Sequence, residues 1–169
     1  NEAQNFVAKS YFSSLTPNTA PWAPSSISLP AQPDFVVGPA GTQGVTHTTV
    51  QAAVDAAITT RTNKRQYIAI MPGEYQGTVY IPAAPGSLTL YGTGEKPLDV
   101  KVGAAIDGEM STADWRHTVN PGGKYMPGKP AWYMFDNCQS KRGANIGMMC
   151  SAVLWSQNNG LQLQNLTVE

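Results

Sequence analysis

The stretch LQLQNLTVE, residues 161–169, restricts the fold more than any other part of the sequence. Leu161 and Leu163 share one strand phase, Leu166 and Val168 the opposite one, and the switch falls at Asn165. Side chains alternate strictly along a strand, so a flat strand cannot change its buried face midway. A strand that turns a corner can. Short strands joined by one-residue corners and stacked coil on coil make a parallel β-helix. A β-sandwich strand bulged at Asn165 is the competing reading.

The rest of the chain agrees with an all-β body. Sixteen Gly and thirteen Pro in 169 residues imply many turns and few long helices. Between those turns lie the apolar runs QYIAIM, TVYIP, SLTLYG, LDVKVG, AWYMFD and SAVLWS, each read as a strand. One helix is predicted. In THTTVQAAVDAAI, Val50, Ala53, Val54, Ala57 and Ile58 recur at helical spacing, with Thr48 and Gln51 as a capping box.

Two segments stand apart. Residues 1–33 carry prolines at 17, 21, 24, 30 and 33, which exclude a long regular element. They read as an extended arm pinned by Trp22, Ile27 and Leu29, or equally as a linker. Residues 34–169 form the domain. Within it, residues 107–132 hold no long apolar run and three prolines, and read as an excursion of the kind that lines binding sites.

Composition narrows the function. Eleven basic and eleven acidic residues balance, which speaks against nucleic-acid binding and against a polybasic membrane surface. Cys138 and Cys150, with only His47 and His117 as imidazoles, make a poor metal set. They read as a disulfide of an oxidising compartment, or as two reduced buried thiols. Asp107, Glu109 and Asp114 cluster in the excursion but read as solvated loop carboxylates, and no G-x-S-x-G elbow marks a serine hydrolase. Trp115, Tyr125, Trp132 and Tyr133 are candidates for stacking on sugar rings, against the alternative that they pack the excursion onto the domain body.

Taken together, DFVVGPAGTQGVTHTTVQAAVDAA, YIAIMPGEYQGTVYIP, LTLYGTGEKP and NNGLQLQNLTVE resemble, collinearly, the N-terminal part of the pectin methylesterases, carbohydrate esterase family 8. The arm resembles that of the Gram-negative outer-membrane lipoprotein branch, one member of which is named for acyl-CoA thioester hydrolysis. The resemblance implies a right-handed parallel β-helix and ester hydrolysis by an aspartate pair without metal or cofactor. It further implies a pectin-like polysaccharide or other ester as substrate, a cell-envelope location with a lipid anchor upstream, and a monomer. Thioester hydrolysis, or a non-catalytic polysaccharide-binding or scaffold role, are the alternatives. The family's catalytic motifs, QAV, QDT, DFIFG and LGRPW, do not occur in these 169 residues. The expectation is therefore a set of N-terminal coils, inactive alone, from a domain that continues. Gly73 and Tyr75 match the family's Gly-x-Tyr-x-Glu turn, but Gly77 stands where the family has Glu. Val153 stands near a position where many members have Thr.

Overall fold

The computed structural model describes residues 27–140 and 145–169, so Trp22 and most of the arm lie outside the described residues. Three parallel sheets carry the chain. β1 (Phe35–Val37), β2 (Gln66–Ile70), β5 (Leu88–Gly92) and β8 (Gln162–Gln164) form the first, in that order. β3 (Gly73–Gln76), β6 (Val100–Gly103) and β9 (Thr167–Val168) form the second, and β4 (Val79–Ile81) with β7 (Leu154–Ser156) the third. From β2 onward the chain visits the sheets in unvarying rotation, and each return pairs with the strand laid down one turn earlier. That winding is a parallel β-helix. The sandwich reading fails because its strands would run antiparallel.

Parallel register stacks like on like. Phe35, Ile68, Leu90 and Leu163 form one ladder, and Tyr75, Val102 and Val168 another. The ladders fill a core of Val37, Ile68, Ile70, Val79, Ile81, Leu88, Leu90, Val100 and Val102, all essentially removed from water. The phase switch is a corner. Asn165 takes a left-handed conformation (φ 51°), and its Nδ2 donates to the carbonyls of Gly92 (3.1 Å) and Gly94 (2.6 Å). Gly92 is obligatory there, since a Cβ on it would lie 2.0 Å from the Asn165 carbonyl oxygen.

α1 (Val50–Thr59) packs its Val50, Ala53, Val54 and Ala57 face onto the core and contacts β1, β2 and β4. Its N-cap is Thr49, one residue later than the sequence suggests; the Thr49 Oγ1 accepts from the Ala52 N–H at 3.2 Å. The excursion between β6 and β7 corrects the sequence reading more substantially. It folds into α2 (Thr112–Val119), α3 (Trp132–Gln139) and short 3₁₀ turns at Pro121–Gly123 and Met148–Ser151. AWYMFD is therefore helix, not strand. Its apolar residues Ala131, Met134, Phe135 and Cys138 recur at helical spacing, a period obscured by the aromatic run.

This excursion has its own core. Trp115 stacks on Phe135 (centroids 5.1 Å), Tyr125 stacks on Phe135 (5.5 Å) and on Tyr80 (4.8 Å), and the Cys138–Cys150 disulfide closes the cluster from below. The Trp115 indole N–H donates to the Cys150 carbonyl at 2.9 Å, tying α2 to the disulfide-bearing turn.

Candidate functional site

A cleft of about 1320 Å³ lies between the polar face of α1 and the turn at residues 121–130. Ala52, Ala56, Phe35, Met126 and Pro127 supply apolar walls, and Gly77 and Lys124 lie at one end. A second, smaller depression of about 150 Å³ shares Gly77 and Lys124 with it.

Beneath the cleft runs a buried polar network. Gln51 is its hub: Nε2 donates to Asp55 Oδ1 (2.9 Å) and to the Tyr80 carbonyl (2.9 Å), while Oε1 accepts from the Tyr80 N–H (2.7 Å) and the Tyr125 hydroxyl (3.0 Å). β4 pairs only with β7, so one of its edges faces α1. The Gln51 amide gives the Tyr80 peptide both partners a neighbouring strand would have given, and closes that edge. The single Tyr125 hydroxyl proton is shared between Gln51 Oε1 and the Thr78 carbonyl, the latter at 2.9 Å, which locks the excursion onto the segment entering β4.

Lys124 completes the arrangement. Its Nζ donates to the Thr78 carbonyl at 2.8 Å and sits 4.7 Å from the centre of the Tyr125 ring. Gly77 makes this possible: it adopts φ +110°, and a Cβ there would lie 2.9 Å from Nζ. At the turn position where the family resemblance implies a Glu, this chain places Gly77, with an amine from the excursion beside it. Desolvation brings the Lys124 pKa down to about 8, opposed by the nearby Asp55 charge. Asp55 moves the other way: burial raises its carboxyl above 3.8, opposed by the Gln51 hydrogen bond and by Lys129 and Lys124. Among the described residues the ion pairs are those of Lys101 with Glu74 and Glu169, so Asp55 and Lys124 act on each other at a distance.

The residues singled out from sequence separate clearly. Trp115 and Tyr125 are buried in the excursion's own core, so neither ring presents a face to solvent in this structure. Trp132 is half-buried against Phe135, and Tyr133, 47% exposed, is the one of the four on the surface. The Asp107, Glu109 and Asp114 carboxylates accept local bonds from the Glu109 N–H, the Asn145 amide and the Ser111 hydroxyl. His47 packs edge-on against Phe35, and His117 is exposed on α2. Tyr75 packs against the core and donates to the Met71 carbonyl at 2.8 Å, while Gly73 carries a positive φ of 153° at the head of β3. No group of three or more His, Cys, Asp or Glu side chains with metal-holding geometry occurs among the described residues, and none of their helices is long and apolar enough to cross a membrane. Sequence reasoning missed Gln51 and Lys124. Gln51 carries a usable signal, a polar residue beside the apolar stripe of α1, whereas Lys124 carries none.

No protein-family model matches the chain. It is 79% identical over 168 residues to YbhC of Escherichia coli, provisionally named an acyl-CoA thioester hydrolase, covering 99% of this chain and 39% of that protein. The crystal structure of Escherichia coli YbhC superposes with a TM-score of 0.83, over 98% of this chain and 42% of the other. Pectinesterase B of Dickeya dadantii is 46% identical over 99% of this chain and 40% of its own length. The structure of rice weevil pectin methyl esterase, 36% identical, gives a TM-score of 0.74 over 86% of this chain and 37% of that one. The chain thus spans about two fifths of the length of these relatives. By sequence and by fold, it belongs to the pectin methylesterase-like family.

Proposed function

We propose that the intact protein is a pectin methylesterase-like carboxylic ester hydrolase, and that residues 34–169 are the first coils of its right-handed β-helix. Parallel crossovers take the right hand in roughly 98% of cases. The observation that carries the reading is the 46% identity to a pectinesterase along 99% of the chain. Hydrolysis on this fold requires two carboxylates in different environments, one ionised to attack the ester carbonyl and one protonated to assist the leaving alcohol. The family resemblance places that pair in motifs that do not occur in these 169 residues, so this chain alone is expected to be inactive. The substrate is a methylated polyuronate or a related ester, and the working state a monomer.

The cell envelope of a Gram-negative bacterium is the proposed location, with residues 1–33 as an arm leading from a lipid anchor. The Cys138–Cys150 bridge supports it, because structural disulfides persist in oxidising compartments. The test is methanol release from methylated pectin by the full-length protein. Turnover that is abolished by substituting either aspartate supports the esterase, and no release at any pH overturns it. A second reading, thioester hydrolysis on the same fold, is favoured by the name of the 79% identical relative. Thiol release from acyl-CoA distinguishes it, and failure of both assays by folded protein leaves a non-catalytic polysaccharide-binding or scaffold role.

A further inference from the structure

Past the C-terminal end of α1 lies a third depression, of about 550 Å³, within the size range of small-ligand sites. It shares Thr59, Gly128 and Pro130 with the cleft over α1, so the two run into one another. Arg61 lines it. This residue follows the last turn of α1, donates its N–H to the Ile58 carbonyl at 3.3 Å, and takes a left-handed conformation with φ 50°. Glycine is the usual occupant of such a position, because a Cβ is disfavoured there. Arg61 is exposed, is the one charged residue lining the depression, and forms no ion pair among the described residues. Tyr133 on α3 adds an aromatic surface. Its hydroxyl donates to Gln157 Oε1 just past β7, which fixes the ring, yet the residue stays 47% exposed. Pro82, Pro85 and Pro130 supply stiff apolar walls.

From this geometry we propose that the depression is a binding subsite for a free hexuronate residue of an acidic saccharide chain, with Arg61 taking the carboxylate and Tyr133 the face of the sugar ring. A guanidinium meets a carboxylate through two parallel N–H···O bonds, and its weak hydration lowers the cost of desolvating it. The C–H face of a sugar ring is apolar and packs on an aromatic surface already held in one orientation. Esterifying the carboxyl removes its charge, so the subsite reads the free acid and not the methyl ester. A phosphate ester suits it less, since it carries more charge than one guanidinium balances. The junction with the cleft leaves room for neighbouring sugars of the same chain. The choice of a sugar acid rests on the pectin methylesterase-like reading, whereas the preference for a free carboxylate rests on Arg61. In an esterase of that kind, the subsite would hold a stretch of chain from which the methyl groups have gone.

The test is hydroxyl-radical footprinting of the full-length protein, mapped by peptide mass spectrometry. The probes are a free-acid hexuronate trimer and the neutral hexose trimer of the same linkage. Neither carries an ester, so failure here and failure of the hydrolase reading are separate results. The rate of Tyr133 modification is read against that of Met148, which is 88% exposed. At about two-thirds occupancy by the free-acid trimer, Tyr133 is expected to react about threefold more slowly with Met148 unchanged. The neutral trimer should leave both rates as they were. Arg61→Gly should abolish the protection. Because Gly adopts φ 50° without strain, that variant should also melt no lower than wild type, which separates lost binding from lost fold. Absence of protection, equal protection by the neutral trimer, or protection that survives in Arg61→Gly overturns the proposal.

Discussion

Replacing Gln51 by Leu tests whether a single side chain can stand in for a neighbouring strand. The substitution preserves approximate volume and removes four hydrogen bonds, of 2.9, 2.9, 2.7 and 3.0 Å. Tyr125 keeps its bond to the Thr78 carbonyl, so its hydroxyl loses little. The Tyr80 N–H and C=O have no such reserve. They are orphaned on a residue with no solvent exposure, at about 1–3 kcal/mol each. Asp55 loses the hydrogen bond that lowers its pKa, and the added apolar surface of Leu returns part of the cost. The net expectation is a loss of about 3–5 kcal/mol. In urea unfolding followed by tryptophan fluorescence, that corresponds to a midpoint lowered by about 1.5–2.5 M at an unchanged slope near 2 kcal/mol/M. The loss should grow as pH rises above the ordinary carboxylate value. A carboxyl whose folded pKa is raised is stabilising in its protonated form and costs stability once ionised. Gln51→Glu sharpens the point, because it retains an acceptor but sets a second carboxylate beside Asp55. It should be as damaging as Leu at pH 7 and recover in acid. A Gln51→Leu midpoint within about 0.5 M of wild type would refute the strand-surrogate role.

Three further outcomes follow from the same contacts. Removing the disulfide with paired Cys138→Ala and Cys150→Ala substitutions releases a 12-residue loop and should cost about 3 kcal/mol, seen as an early transition of the excursion; superimposable melting curves would contradict this. Gly92→Ala drives a Cβ to 2.0 Å from the Asn165 carbonyl, so soluble folded protein should be lost, and a normally folded variant would show the corner to be pliable. Lys124 has a folded pKa of about 8 against 10.5 unfolded, so its burial cost is fully present below pH 8 and relieved as pH rises towards 10.5. Wild-type stability should therefore gain with pH across that window relative to Lys124→Met, and parallel stability profiles of the two proteins would count against the depressed pKa.

Legibility from sequence tracked the range of the interactions. The corner at Asn165 was readable because period-two alternation is local, and so was the core face of α1. The identity of α3 was not, because Trp132, Tyr133 and Phe135 favour strands while the packing that makes them helical comes from Trp115, Tyr125 and the disulfide. Burial of Trp115 and Tyr125 has the same origin: an aromatic in a polar stretch advertises a binding surface until a second, satellite core is known. The amine over Gly77 was least legible, since it depends on a contact between the β3–β4 turn and the middle of an excursion that begins more than twenty residues later.

Gly77 and Lys124 in effect share one volume, and this links two segments that the sequence keeps far apart. A Cβ at position 77 would lie 2.9 Å from the Lys124 amine, so a side chain there obliges the tip of the lysine to shift as well as the backbone to hold φ +110°. The conformation of the turn and the seating of the excursion's lysine are thus coupled in this fold. A Glu placed at position 77 would have to hold φ +110° and displace the amine, so the turn and the excursion would adjust together.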